Sequence, residues 1–385
     1  MDLILIGGGT LLFLLFIISH FFSRLHLPTL LSYILLGLIL SRFIGESETD
    51  VIHDIAQIGI VLLFFLLGLK FSLNHLMNIS RRIWKVGILD IIFNFGISFG
   101  IAYFMGFGLI EALIIGGVCY ATSSSITIKA LEETDREHTP EAEFKLALLI
   151  FEDIAAPVMV SVLTALTVQG QVQLDSILII LIKAILMTVV SILVARYFFS
   201  RLEVFIKRYL ETDYMPLLIM SIVFLVSGIA VVLDLSKLLG AFLAGVMLSE
   251  TLTGKELEEK ISPLKNILLP FFFFWFGTSI SFEAGLILPF TLFVLVLWSI
   301  VSKFFIGLAG GRMYGLSRKG SLRAGLSLTQ RGEFSVIIAS LAEPAVLTFS
   351  GVYIIITALI GLLFMFRAPG LSEKIHKFVN NRKLI

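Results

Sequence analysis

Two adjacent carboxylates, Glu152 and Asp153, stand in a largely apolar run from Phe144 to Leu166. An ionisable group at the centre of a bilayer costs about 2.5–3.5 kcal/mol even on insertion scales, so a pair kept there needs partners or a task. Neighbours on a helix point about 100° apart, so the two cannot share one site symmetrically. One is expected to face a transport cavity and the other a fixed partner. Burial disfavours the charged form of a carboxylate, whereas a bound cation favours it. A buried aspartate under both influences holds a proton or a cation but not both, and that competition is sufficient for coupled exchange.

Other residues offer what such a site requires. Thr122, Ser123, Ser124, Ser125 and Thr127 interrupt an apolar segment with hydroxyls, the neutral oxygens a dehydrated alkali cation needs, and an unwound stretch would add backbone carbonyls. These groups carry no charge, so one cation against Asp153 gives a balanced site. Lys303 lies deep in Leu297–Phe305 and needs an anion, for which Glu152 or Asp153 is expected. Arg331 and Glu333 flank Gly332 at a second interruption, where they neutralise each other or stabilise the ends of half-helices. Asp90 and Lys183 are also intramembrane and are assigned structural pairing.

The elements that hold these groups must be membrane helices. The 385 residues are 58% hydrophobic and 15% charged, with a mean hydropathy of +1.01, whereas soluble domains are about 25% charged. Apolar runs of about 20 residues recur throughout, the length of a helix that crosses a bilayer. The punctuation predicts thirteen spans, at 3–22, 28–45, 52–71, 83–106, 109–131, 144–168, 174–199, 214–233, 236–251, 264–281, 286–312, 320–343 and 349–367. The first opens on Asp2 without a basic stretch or a small-residue cleavage site, so it reads as a retained span rather than a signal peptide. The spans leave no room for a separate soluble domain, and the whole of 1–385 reads as one transmembrane domain.

Connections after odd spans carry Arg24; Arg81, Arg82 and Lys85; Arg136; Arg201, Lys207 and Arg208; Lys255, Lys260 and Lys265; and Arg312, Arg318 and Lys319. Those after even spans hold only Arg42 and Lys237, beside Glu46, Glu48, Asp50, Asp175 and Glu283. By the positive-inside rule the N-terminus is outside, and the odd connections and C-terminal tail are cytoplasmic. Spans 5 and 12 are the broken ones. They lie seven apart, and an odd offset inverts one relative to the other, as expected for repeats over about 3–168 and 214–367 linked by the helix 174–199. Polar interruptions at matching places in two inverted halves point to a transport site. The plainer reading of one such stretch, that small hydroxyl residues let helices pack closely, explains the matched pair less well.

No phosphate-binding glycine loop, hydrolytic constellation or cluster of the six histidines is present, so neither an enzyme nor a cofactor is expected. Cys119, the single cysteine, reads as packing, and His138 as a solvated loop histidine. A channel would need rings of carbonyls or charges that the sequence lacks, and the buried Glu-Asp pair argues against a carrier of organic anions.

Six motifs in order resemble the bacterial monovalent cation:proton antiporter family, which includes the potassium efflux proteins and the sodium/proton exchangers. They are Leu66-Leu67-Gly68-Leu69 with Phe71-Ser72, Ser123-Ser124-Ser125, Phe151-Glu152-Asp153-Ile154-Ala155, Leu239-Gly240-Ala241-Phe242-Leu243-Ala244-Gly245, Phe272-Phe273-Phe274 through Phe276-Gly277, and Arg331-Gly332-Glu333-Phe334. The resemblance spans nearly the whole chain. It implies an all-α fold in which helices 5 and 12 cross beside helix 6, a mobile core plus a dimerisation domain, and a homodimer. It also implies elevator-type alternating access with Asp153 carrying cation and proton in turn, Lys303 pairing with the carboxylates, and K⁺ in preference to Na⁺. Glu152 departs from the Gln of potassium efflux members and the Asn or Asp of sodium exchangers, which leaves the stoichiometry open. The combination most resembles the Bacillus-type K⁺/H⁺ antiporters, whose cytoplasmic regulatory subunit is a separate polypeptide.

Overall fold

A computed structural model describes residues 2–70, 81–169, 174–194, 197, 214–249, 254–283 and 285–381. Phe71, Ser72, Arg201, Lys207, Arg208, Arg382 and Lys383 lie outside the described residues. The chain forms two compact units, one of 1–78 and 160–281, the other of 79–159 and 282–385.

The first unit holds α1 (Asp2–Arg24), α2 (Thr29–Leu40) and α3 (Glu46–Leu69), followed later in the chain by α9 (Leu174–Val194), α10 (Met215–Val232), α11 (Lys237–Ser249) and α12 (Gly254–Thr278). Here α3 packs on α11 and α12, and α2 on α12. Glycine sets the approach at both crossings. A Cβ on Gly68 would sit 2.0 Å from the Phe242 carbonyl oxygen and one on Gly245 2.1 Å from that of Phe65. Gly37 and Gly277 repeat the arrangement against Phe274 and Ile34, at 2.0 and 2.1 Å. Small residues let membrane helices bring their backbones together, which replaces the hydrophobic drive that lipid cannot supply. Outward-facing apolar side chains such as Leu5 and Phe13 on α1, Ile182 and Leu186 on α9, and Leu217 and Leu225 on α10 suit a hydrocarbon solvent. Lys183 donates to Asp234 at 2.9 Å, the structural pairing expected of it.

The second unit begins with α4 (Arg81–Asp90), which runs through a π-helical turn, Ile91–Gly96, into α5 (Ile97–Phe104). Then come α6 (Leu109–Tyr120), α7 (Ser124–Glu132) and α8 (Pro140–Gln169), whose first twenty residues belong to this unit. The unit is completed by α13 (Pro289–Tyr314), α14 (Arg318–Gly325), α15 (Glu333–Ala339) and α16 (Pro344–Asn381). Ile83, Val86, Phe144, Leu148, Ile306, Ala324 and Leu328 form one of its buried apolar clusters, joining α4, α8, α13 and the α14 end.

Among the described residues seven helices are long and apolar enough to cross a membrane, and shorter apolar helices lie at four further expected spans. The fifth span is split into α6 and α7 and the twelfth into α14 and α15, as the polar interruptions imply. Three boundaries differ most: α3 begins at Glu46 and takes in the acidic residues expected in a connection, α16 runs on to Asn381 through the basic residues expected in a tail, and α12 begins at Gly254. The segment from Gly254, with Lys255 and Lys260, is helical and continues into α12 rather than forming a connection. Lys260 is exposed there, and a helix continues past an apolar run as long as its backbone bonds are made.

Candidate functional site

The two broken helices of the second unit meet through their extended segments. After Tyr120 the backbone opens at Ala121 (ψ 129°) and Ser123 (ψ 111°) before α7 begins. Thr122 and Arg331 then form an isolated antiparallel bridge, and the Ser123 N–H donates to the Gln330 carbonyl at 2.9 Å. Gly332 permits the contact, since a Cβ there would lie 2.4 Å from Ser123 Cβ and Oγ. Breaking a helix frees polar backbone groups that lipid cannot satisfy. Several are met from the other broken helix: Arg331 reaches the Tyr120 carbonyl at 3.5 Å, and Ser335 Oγ donates to the carbonyls of Val118 at 2.8 Å and Ala121 at 3.3 Å. Ser123 caps α7 by accepting from the Ile126 N–H. Glu333 opens α15, where the helix dipole favours a negative charge.

Each carboxylate near the crossing is met by a different hydroxyl of the Thr122–Ser125 stretch. Glu152 accepts from the Thr122 N–H at 2.5 Å and its hydroxyl at 3.1 Å. Ser124 Oγ lies 3.2 Å from both oxygens of Asp153. Glu333 accepts from Ser125 at 2.8 Å and Ser123 at 3.4 Å. Thr127 is turned away from the carboxylates: it donates to the Ser123 carbonyl at 2.7 Å and accepts from Gln330 at 2.6 Å, bracing the two segments.

Lys303, with no accessible side-chain surface, sits between two carboxylates. It donates to Glu152 at 3.0 Å and to both oxygens of Asp90 at 2.9 and 3.1 Å. Asn94, four residues on in the π-helical turn, donates to Asp90 at 2.8 Å, and Ser302 donates to Asn94 at 2.7 Å. Arg331 donates to Ser299 at 2.8 Å, so Ser299, Ser302 and Lys303 of α13 present one polar face to the site. Asp90, Glu152, Lys303 and Arg331 together sum to zero charge. That balance is reached without Asp153, which lies next along α8 from Glu152.

The pairing of Lys303 with Glu152 follows the expectation from the sequence, whereas its second partner, Asp90, was assigned only structural pairing there. The signal was the charge count: two opposite charges, Asp90 and Lys303, each within an apolar run, each requiring a partner. Asn94, Ser299 and Ser302 carried no signal of their own. Among the described residues Arg331 and Glu333 form no ion pair; Arg331 donates to the Tyr120 carbonyl and to Ser299, and Glu333 accepts from Ser123 and Ser125.

Two broken helices that meet through their extended segments, beside buried carboxylates and a buried lysine in a fold of membrane-length helices, define a class of secondary transporter. The family profile described as "Sodium/hydrogen exchanger, transmembrane" matches residues 10–368. The chain is 43% identical over 97% of its length to the ammonium/H⁺ antiporter subunit AmhT of Alkalihalophilus pseudofirmus, covering 95% of that protein. It is 29% identical over 99% of its length to the K⁺/H⁺ antiporter subunit KhtU of Bacillus subtilis, covering 96% of it. Among solved structures, the sodium proton antiporter MjNhaP1 of Methanocaldococcus jannaschii matches with a TM-score of 0.74 at 16% identity, over 97% of this chain and 99% of that one. The chain belongs to the sodium/hydrogen exchanger family and is a multi-pass monovalent cation:proton antiporter.

Proposed function

We propose that this protein exchanges K⁺ for H⁺ by elevator-type alternating access, with cation and proton competing for Asp153. The observation that carries the reading is Asp153 held by Ser124 directly beside a buried set, Asp90, Glu152, Lys303 and Arg331, that is already neutral. A charge added to Asp153 is then matched by the one removed, which favours one-for-one, electroneutral exchange. Thr122, Ser123, Ser124, Ser125 and the freed carbonyls of the crossing supply the remaining oxygens, and Thr127 holds that stretch in place. Glu152 shares the exchange site as its fixed carboxylate, with Lys303 as its counter-charge, while Arg331 and Glu333 hold the half-helix ends.

Ammonium is a second reading, favoured by the name of the 43%-identical relative. Na⁺ would use the same oxygens. The further assignments rest on the family and the charge pattern: repeats over about 3–168 and 214–367 joined by 174–199, the first unit serving to dimerise a homodimer, and a plasma-membrane location with the N-terminus outside. Two relatives carry the word "subunit" in their names, which supports a separate cytoplasmic regulatory protein.

Proteoliposomes enclosing a pH dye test the reading, with K⁺, Na⁺, Rb⁺ or Li⁺ added to wild type and to Asp153→Asn. Ammonium is read against the mutant because ammonia crosses bilayers unaided. Cation-driven proton movement present in wild type and absent in Asp153→Asn is expected, with K⁺ most effective. Movement that persists in the mutant would remove Asp153 from the mechanism.

A further inference from the structure

At the start of α8, two turns before the carboxylate pair, lies a cluster the exchange site does not use. Glu141, almost wholly buried, accepts from Arg136 on one oxygen and from Arg323 on the other. Lys145 stands one helical turn on from Glu141, on the same face of α8, and within electrostatic reach of Arg136 and Arg323. Lys145 has no accessible surface and Arg136 is 8% exposed, yet Lys145 Nζ and Arg136 Nε and Nη1 have no hydrogen-bond partner. Three cations face one carboxylate, leaving two positive charges and three unused donors inside the protein. Buried polar groups are nearly always satisfied, and an orphaned one points to water or an ion. Loss of a proton would account for Lys145 but not for Arg136, whose guanidinium keeps its charge in proteins.

We propose that Arg136, Lys145 and Arg323, arranged around Glu141, form a binding site for a phosphate group, supplied by a lipid headgroup or by a free phosphate-bearing solute. A dianionic phosphate matches both the charge deficit and the number of donors, whereas a carboxylate supplies only one charge. Arg323, with a side chain 27% exposed, is the most exposed member of the cluster. Glu132, Asp135 and Glu137 on the same connection are exposed, where solvent and salt screen them. The connection follows an odd span, so the site opens on the side the positive charges assign to the cytoplasm. A phosphate there joins the start of α8 to α14. Lys145 stands seven residues before Glu152, about 10 Å along the helix.

The test is thermal unfolding of the purified chain in neutral detergent, in chloride and in inorganic phosphate at matched ionic strength. It is repeated in phosphatidylcholine nanodiscs with and without phosphatidic acid, whose phosphomonoester headgroup can carry two charges where the phosphodiester of phosphatidylcholine carries one. Phosphate at 100 times its Kd is expected to raise the midpoint of wild type by about 3 °C, and Lys145→Met is expected to abolish the rise. Because Lys145→Met replaces an unpaired buried charge with an apolar chain of similar length, its ligand-free midpoint holds or rises; Arg136→Gln is the second variant. A rise only with phosphatidic acid assigns the phosphate to lipid, and a rise with the inorganic ion assigns it to a solute. No rise in either medium, or a rise surviving both substitutions, overturns the proposal. So does binding of an acidic peptide, instead of phosphate, that depends on Lys145.

Discussion

Lys303 lies 3.0 Å from Glu152 and 2.9 Å from Asp90, one buried cation shared by two buried carboxylates. Removing one partner of a buried pair costs about 3–5 kcal/mol when it strands the other charge. Here neither removal strands the lysine. Asp90→Asn and Glu152→Gln should therefore each cost less than that range, and the double variant more than their sum, with a coupling above about 1 kcal/mol. Chemical or thermal unfolding of the four proteins measures it. Strict additivity would mean the two carboxylates do not share the charge.

Gly332 lies against Ser123 where the two broken helices meet. Gly332→Ala drives a Cβ into Ser123 and should lower stability by about 1–3 kcal/mol and remove exchange activity. Gly100→Ala in α5 is the control, because nothing lies within 4 Å of the added Cβ. It should hold or gain up to about 1 kcal/mol and keep full activity. Equal behaviour of the two variants in unfolding and flux assays would show that the crossing tolerates separation.

Ser124 and Ser125 are adjacent but serve different carboxylates. Ser124→Ala removes the hydroxyl facing Asp153 and should raise the cation KM by about tenfold or more, since a hydrogen bond to a charged group is worth about 1.5–3 kcal/mol. Ser125→Ala acts on Glu333 and should change KM less. Flux measured across a cation series distinguishes the two, and a larger KM effect at Ser125 would shift the binding site toward α15.

Much of this was legible in the sequence, for a physical reason. A charge in an apolar run is so costly that its presence alone announces a partner, which is how Glu152 and Lys303 could be joined. The breaks in spans 5 and 12 announced themselves because hydroxyls and glycine replace the apolar residues there. What stayed hidden depends on packing across long sequence distances. Asp90 and Lys303 are 213 residues apart, and nothing local to either names the other. The π-helical turn that brings Asn94 to Asp90 lies in Ile91–Gly96, a stretch with no compositional mark. The assignment of one hydroxyl to each carboxylate follows from how the two segments cross, which composition does not encode. The buried set around Glu141 escaped because Arg136 was read only as a loop charge that fixes orientation.

The paired glycines of the first unit have a mechanical consequence. At Gly68 and Gly245, and again at Gly37 and Gly277, each helix seats a carbonyl oxygen in the gap where its neighbour has no side chain, and receives one in return. Sliding between packed helices normally proceeds by side chains hopping among rotamers in the layer that separates them. Here that layer is missing, and a small translation or rotation runs a carbonyl into the next residue's Cβ. The α2–α12 and α3–α11 pairs are consequently interlocked against shear. Whatever motion the transport cycle asks of this unit, these helices must make it together.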